Sequence, residues 1–250
     1  MTRLGLAVAC LVLLSACTAQ RPADSGQAAA GSSSSGQQGR HSSQGAELVA
    51  ESARTLRELR QGTPEQILDY ALEDACAVIV LPGVYQAGFM YSLHIGSGVL
   101  VTRDKQGGWG APAFVSVGGA GYGVQIGVEK QRLVLVVLER EMLERILASG
   151  LSFDALAKYD LLGARGQTGP DSMTSRRPVQ AFTDGVGLMA GVGFRGAVLT
   201  LNEGLTADYH GQDKGGAEAV LQTSSAPGME VFDLWTALYV TLPKAQIQAR

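Results

Sequence analysis

A chain of 250 residues that is 46% hydrophobic and 17% charged can build one sizeable globular core. A net charge of -3 and a pI near 5.6 exclude the basic surplus expected of a general nucleic-acid binder. Three histidines and three cysteines leave little material for metal or redox chemistry.

Residues 1–16 read as an export signal. Arg3 supplies a positive start, and LGLAVACLVLL is an apolar core too short for a comfortable membrane span. Leu14-Ser15-Ala16-Cys17 matches the lipobox of bacterial lipoproteins, in which the cysteine is acylated and becomes the first residue; an ordinary signal peptide with an incidental cysteine is the alternative. Cleavage there removes Arg3 and no acid, which shifts the net charge from -3 to -4. Thr18 rather than Asp after Cys17 favours the outer membrane. Cys10 leaves with the signal and Cys17 carries lipid, so Cys76 stands alone and no internal disulfide is expected. Beside AVIVL, Cys76 reads as a small buried hydrophobe.

Residues 17–45 are rich in Ser, Gly, Gln and Ala, a composition that buries too little apolar surface to offset its ordering entropy. The spacing predicts a flexible tether, able to reach about 30 Å from a membrane. The domain itself is expected over 46–250. A helix is predicted from Ala46 to Gln61, with Arg54, Arg57 and Arg60 recurring on one stripe. That stripe is either a solvated face balanced by Glu47, Glu51 and Glu58 or an amphipathic face for anionic head groups. Thr63-Pro64-Glu65-Gln66 reads as the start of a second, short helix.

From Val78 to Val128, apolar β-branched runs are punctuated by glycines, predicting strands near Ala77–Leu81, Ala87–Ile95, Gly98–Arg103, Ala113–Val117, Gly123–Val128 and Leu133–Leu138. Pro82-Gly83, Gly96-Ser97-Gly98, Asp104–Gly108 and Gly118-Gly119 are expected to be turns. The twelve glycines from Gly83 to Val128 exceed what turns require, so some should mark bulges or close backbone approach. A helix is expected over Glu139–Ser149, strands at Val179–Phe182 and onward to Leu201, and a last helix over Met229–Leu242. Strand and helix runs are segregated, which predicts an α+β fold: an antiparallel β-meander or partly closed barrel with flanking helices.

No HExxH, CxxC or GxSxG occurs, and Gly191–Gly196 spells GxGxxG but runs into the strand-like AVLTL instead of a helix. No metal, cofactor or catalytic residue is assigned, and the chain is not expected to be an enzyme. The Arg103–Trp109 turn shows Arg103 and Lys105 and then Trp109. It is either a lipid-contacting loop or a hairpin whose charges are solvated and whose indole packs on the sheet.

VIVLPGVYQAGF, SGVLVTRDKQGGWGAPAFVSVGG and GLMAGVGFRGAVL together resemble the SYLF-domain family of lipid-binding proteins, across roughly Ala46 to Leu242. The resemblance implies a non-enzymatic module associated in eukaryotic members with phosphoinositide and membrane binding, and in some with actin. In the eukaryotic members lipid binding is linked to a basic N-terminal segment, which Arg54, Arg57 and Arg60 could match here; with the Arg103–Trp109 turn read above, the expected lipid contacts are Arg54, Arg57, Arg60, Arg103, Lys105 and Trp109, beside the lipidated Cys17. The expected partners are a membrane reached through the anchor, anionic phospholipid or phosphoinositide, and an envelope protein; no nucleic acid is expected. A structural or protein-interaction module of the envelope without intrinsic lipid binding is the alternative.

Overall fold

The computed structural model describes residues 34–63, 67–88, 91–122, 127–157, 177–183, 194–211, 216–221 and 228–240. The expected signal, Cys17 and residues 17–33 of the tether lie outside them.

Helix α1 (Ser34–Gly62) leads to the short α2 (Ile67–Glu73). Four long strands follow: β1 (Ala77–Gly88), β2 (Tyr91–Thr102), β3 (Ala113–Tyr122) and β4 (Gly127–Val137). Then come α3 (Arg140–Ser149), β5 (Leu151–Ser152), β6 (Val179–Thr183), β7 (Ala197–Leu201), α4 (Glu203–His210), α5 (Ala217–Leu221) and α6 (Met229–Leu238). The strands make one seven-stranded sheet in the order β5-β7-β3-β2-β1-β4-β6. All its pairings are antiparallel. The expected α+β class holds, with the sheet curled into a half-barrel.

The first half of β1 is AVIVL because it is covered on both faces. Ile79 and Leu81, with Leu100, Val115, Leu133 and Leu135, pack against Met142, Leu143 and Ile146 of α3 and against Phe153 and Phe194. Val78 and Val80, with Val99, Phe114, Val134 and Val136, pack beneath α1, α2 and α6. Val49, Ala53, Leu56 and Leu59 of α1 reach this layer, the valine and leucines each worth about 2 kcal/mol when fully buried.

Three expected turns lie within strands. Pro82-Gly83 is part of β1, where the register shifts as a bulge, between Val80 and Gly83 towards β2 and between Leu81 and Val84 towards β4. Gly96–Gly98 and Gly118-Gly119 run through β2 and β3. Their lack of a side chain is used for close approach: a Cβ on Gly98 would press on the Val80 carbonyl and the Leu81 side chain. The expected strand Gly123–Val128 lies mostly outside the described residues, and the other five predicted strands fall on four long ones. Asp104–Gly108 is the turn expected, with Gly107 at φ 88°.

α1 begins at Ser34, twelve residues before the predicted start, so part of the expected tether is helical. Gly45 is buried, and a Cβ there would overlap Tyr209 of α4 and crowd Phe114. Close helix packing thus overrides glycine's poor helix propensity. Thr63 closes α1, its hydroxyl donating to the Leu59 carbonyl at 2.6 Å; residues 64–66 of the expected α2 start lie outside the described residues. Tyr209 and His210 end α4, and Asn202 caps that helix by accepting from Leu205 N–H at 2.9 Å. The last helix stops at Leu238, four residues early.

Candidate functional site

The six predicted contact residues divide into two groups. Arg60 is a structural clamp. Its Nε donates to Asp69 Oδ1 of α2 at 2.6 Å, and Nη1 donates to the carbonyls of Ala237 (2.7 Å) and Tyr239 (3.3 Å) at the end of α6. Arg103 holds the other end of α2, donating to the Glu73 carbonyl at 2.5 Å and the Leu72 carbonyl at 3.0 Å. Its guanidinium lies 4.4 Å from the centre of the Trp109 ring, a cation–π contact. Trp109 is 4% exposed, which corrects the expectation of an indole offered to a lipid interface: it packs beneath the turn, within the α1-face core. Both arginines serve helix C-termini, whose carbonyls lack partners within the helix.

The turn between them is organised by Asp104, whose Oδ1 accepts from Gln106 N–H and Gly108 N–H at 2.9 and 2.7 Å. Lys105 is exposed on it. Arg54 and Arg57 are exposed on α1, with Arg57 Nη1 3.4 Å from the Asp233 carbonyl. The glutamates that interleave them reach β4: Glu51 pairs with Lys130 at 3.6 Å and Glu58 with Arg132. Arg54, Arg57 and Lys105 are therefore the predicted contacts that remain available to solvent.

Beyond the bulge, the sheet leaves the cover of α1, and its polarity inverts. Gln86, Ser92 and His94 point inward and are buried, His94 to 1% exposure. Tyr85, Tyr91, Leu93 and Ile95 point outward and are exposed, Leu93 by 58% and Ile95 by 61%. Register aligns the outward residues in rows. Lys130, Tyr85, Ile95, Gly118 and Val198 form one, crossing β4, β1, β2, β3 and β7. Val128, Ala87, Leu93 and Ala120 form the next. Tyr91 stands in the row after it. No carboxylate occupies these positions, and Lys130 lies 5.6 Å from the Tyr85 ring centre.

The buried polar residues are held within the fold. Ser92 Oγ and His94 Nε2 are 3.1 Å apart, and Phe194 meets the imidazole edge-on at 6.0 Å. Burial pushes the His94 pKa below its ordinary value, so the ring is neutral at neutral pH. Cys76 is half-buried and its thiol is pushed up by burial, against the opposing charge of Arg140. Tyr209 is raised by burial and by its hydrogen bond to Glu230 Oε1 at 2.5 Å. Among the described residues, no group of three His, Cys, Asp or Glu could hold a metal ion. No helix among them is long and apolar enough to cross a membrane.

Sequence reasoning missed the outward face. Its signal was the alternation Tyr91-Ser92-Leu93-His94-Ile95, which normally puts the apolar set inside.

Residues 118–241, from the middle of β3 past α6, match a family model described as Ysc84, Las17-binding protein actin regulator. Over those residues the chain carries a Ysc84 (SYLF) domain match. Its Ysc84-type sequence is 32% identical over 142 residues to SH3 domain-containing protein PJ696.02 of Schizosaccharomyces pombe, covering 55% of this chain and 33% of that protein. It is 28% identical to SH3 domain-containing YSC84-like protein 1 of Xenopus laevis, over 72% of this chain and 56% of that one. It is likewise 28% identical to Protein YSC84 of Saccharomyces cerevisiae, over 61% of this chain and 33% of that one. The chain thus spans between a third and just over half of these relatives. No solved structure matches it.

Proposed function

We propose that the chain is an exported bacterial lipoprotein, acylated at Cys17 and held at the cell envelope, where its Ysc84-type domain binds anionic phospholipid or phosphoinositide head groups without catalysis. The outer membrane is the expected location, from Thr18. The observation that carries lipid binding is the set of exposed cations Arg54, Arg57 and Lys105. Each basic side chain near an anionic surface is worth about 1 kcal/mol, so three suffice for weak, salt-sensitive adsorption.

The test is flotation of the unlipidated chain from Thr18 with phosphatidylcholine vesicles, with and without phosphatidylglycerol. Binding is expected to the anionic vesicles at low salt and to weaken as salt rises. Equal failure on both vesicle types at low salt would sink the lipid reading. The printed description of the family as a Las17-binding regulator favours a second reading, a protein-interaction module brought near the membrane only by its anchor. Fractionation addresses the anchor: Cys17→Ser should move the protein out of the membrane fraction in high salt, whereas retention there would refute anchoring by acylation.

A further inference from the structure

Beyond the bulge, the sheet is built inside out. A strand that alternates Tyr, Leu and Ile with Ser and His would ordinarily bury the apolar set and expose the polar one. Here Ser92 and His94 are enclosed, with Gln86 of the neighbouring strand beside His94 in register, while Tyr91, Leu93 and Ile95 stand in water. In isolation that arrangement is unfavourable twice over, because polar groups lose hydration and apolar ones keep it. Of the nine large exposed hydrophobics among the described residues, six lie on this face; the other three, Met229, Phe232 and Tyr239, lie on α6 or just after it.

We infer that this outward face, with Tyr85, Tyr91, Leu93, Ile95 and Val128 at its centre and Lys130 at its margin, is the surface that enters the interfacial layer of an anionic bilayer. The inference rests on the lipid reading above and assigns it a different contact from the arginine stripe. Two features of the face choose the occupant. First, its outward positions carry no carboxylate for a negative surface to repel, and the one cation among them, Lys130 at the margin, is paired with Glu51 of α1 at 3.6 Å. Tyr85 and Tyr91 beside the aliphatic Leu93 and Ile95 suit the boundary between head groups and acyl chains, where an apolar ring and a hydroxyl are both accommodated.

Second, the aliphatic side chains of the face are few, which suits shallow insertion into lipid, where each partly buried side chain adds to the hold of the acyl anchor.

The test is the double variant Leu93→Thr/Ile95→Thr in the chain from Thr18. Threonine keeps the β-branched shape that strands accept, and both positions are exposed, so the thermal midpoint should be unchanged. Partition onto phosphatidylcholine–phosphatidylglycerol vesicles should fall about tenfold or more, from the lost transfer of two aliphatic side chains. In a second measurement, Ile95→Trp should give tryptophan fluorescence that brominated lipid quenches more strongly than that of the unsubstituted chain.

If the parent chain floats and the double variant floats equally well, the face is overturned while the lipid reading stands. If the parent floats with neither vesicle, the lipid reading fails and takes the face with it. A double variant that binds lipid normally but converts a dimer to a monomer would overturn the membrane assignment in favour of a second copy. Quenching of Ile95→Trp no greater than in the parent would also overturn it.

Discussion

Gly98→Ala is expected to lower the unfolding free energy by about 3 kcal/mol, or roughly 6–12 °C in thermal midpoint for a domain of this size. The cause is local. An added Cβ would lie against the Val80 carbonyl, with Leu81 Cδ2 at 2.7 Å and Leu81 Cα at 3.1 Å. Two of these neighbours are backbone atoms of β1, just before its bulge, and they cannot move without breaking the ladder that joins the central strands. Gly118→Ala is the matched control. It sits one strand away with nothing within 4 Å of the new carbon, so a change within about 0.5 kcal/mol is expected. Comparable melting of the two variants would show that glycines in these strands serve a different purpose from backbone approach.

Arg60→Ala should be the second most damaging substitution, costing about 2 kcal/mol. It removes one ion pair and two charge-assisted hydrogen bonds that join α1 to α2 and to the end of α6. Asp69 would be left with its side chain only 18% exposed, and the Ala237 carbonyl would lose its donor. Arg60→Lys should recover only part of the loss, because one ammonium cannot reproduce the planar fork of donors. The variant also separates two roles for this residue. Arg60 as a clamp predicts a less stable protein whose folded fraction binds vesicles as before; Arg60 as a lipid contact predicts unchanged melting and reduced binding.

Why sequence reading placed Arg60, Arg103 and Trp109 on a lipid surface is clear from their partners. Helical spacing does put Arg54, Arg57 and Arg60 on one stripe, but the stripe has different neighbours along its length. At Arg60 it meets α2 and the end of α6; at Arg54 it is exposed. The partners of Arg60 lie 9 to 179 residues away in the chain, and no local pattern reports them. Arg103 likewise finds the end of α2 about thirty residues upstream. Its cation–π contact with Trp109, by contrast, follows from a turn that was legible: Asp104 and Gly107 are residues such a turn demands.

Fold class was readable because apolar periodicity and segregation of strand-like and helix-like runs are local properties. The existence of α3 and its stop at Gly150, where φ is 76° and the N–H returns to the Ile146 carbonyl, came from the same kind of signal. Boundaries inside the sheet did not. Glycine permits a turn and a crowded strand equally well, and only the neighbouring backbone distinguishes them.

By itself, the sequence determined which residues of β1 and β2 share a face, since a strand places alternate side chains on opposite sides. Tyr91, Leu93 and Ile95 had to lie together, as did Ser92 and His94. Which set would be covered was a tertiary decision. It depended on the bulge at Leu81–Val84 and on where α1 ceases to lie over the sheet, so that the side packed by helices at Val80 and Val99 is bare at Tyr85 and Ile95. A period of two fixes relative orientation; burial is set by what packs opposite, and in this chain that comes from helices distant in sequence.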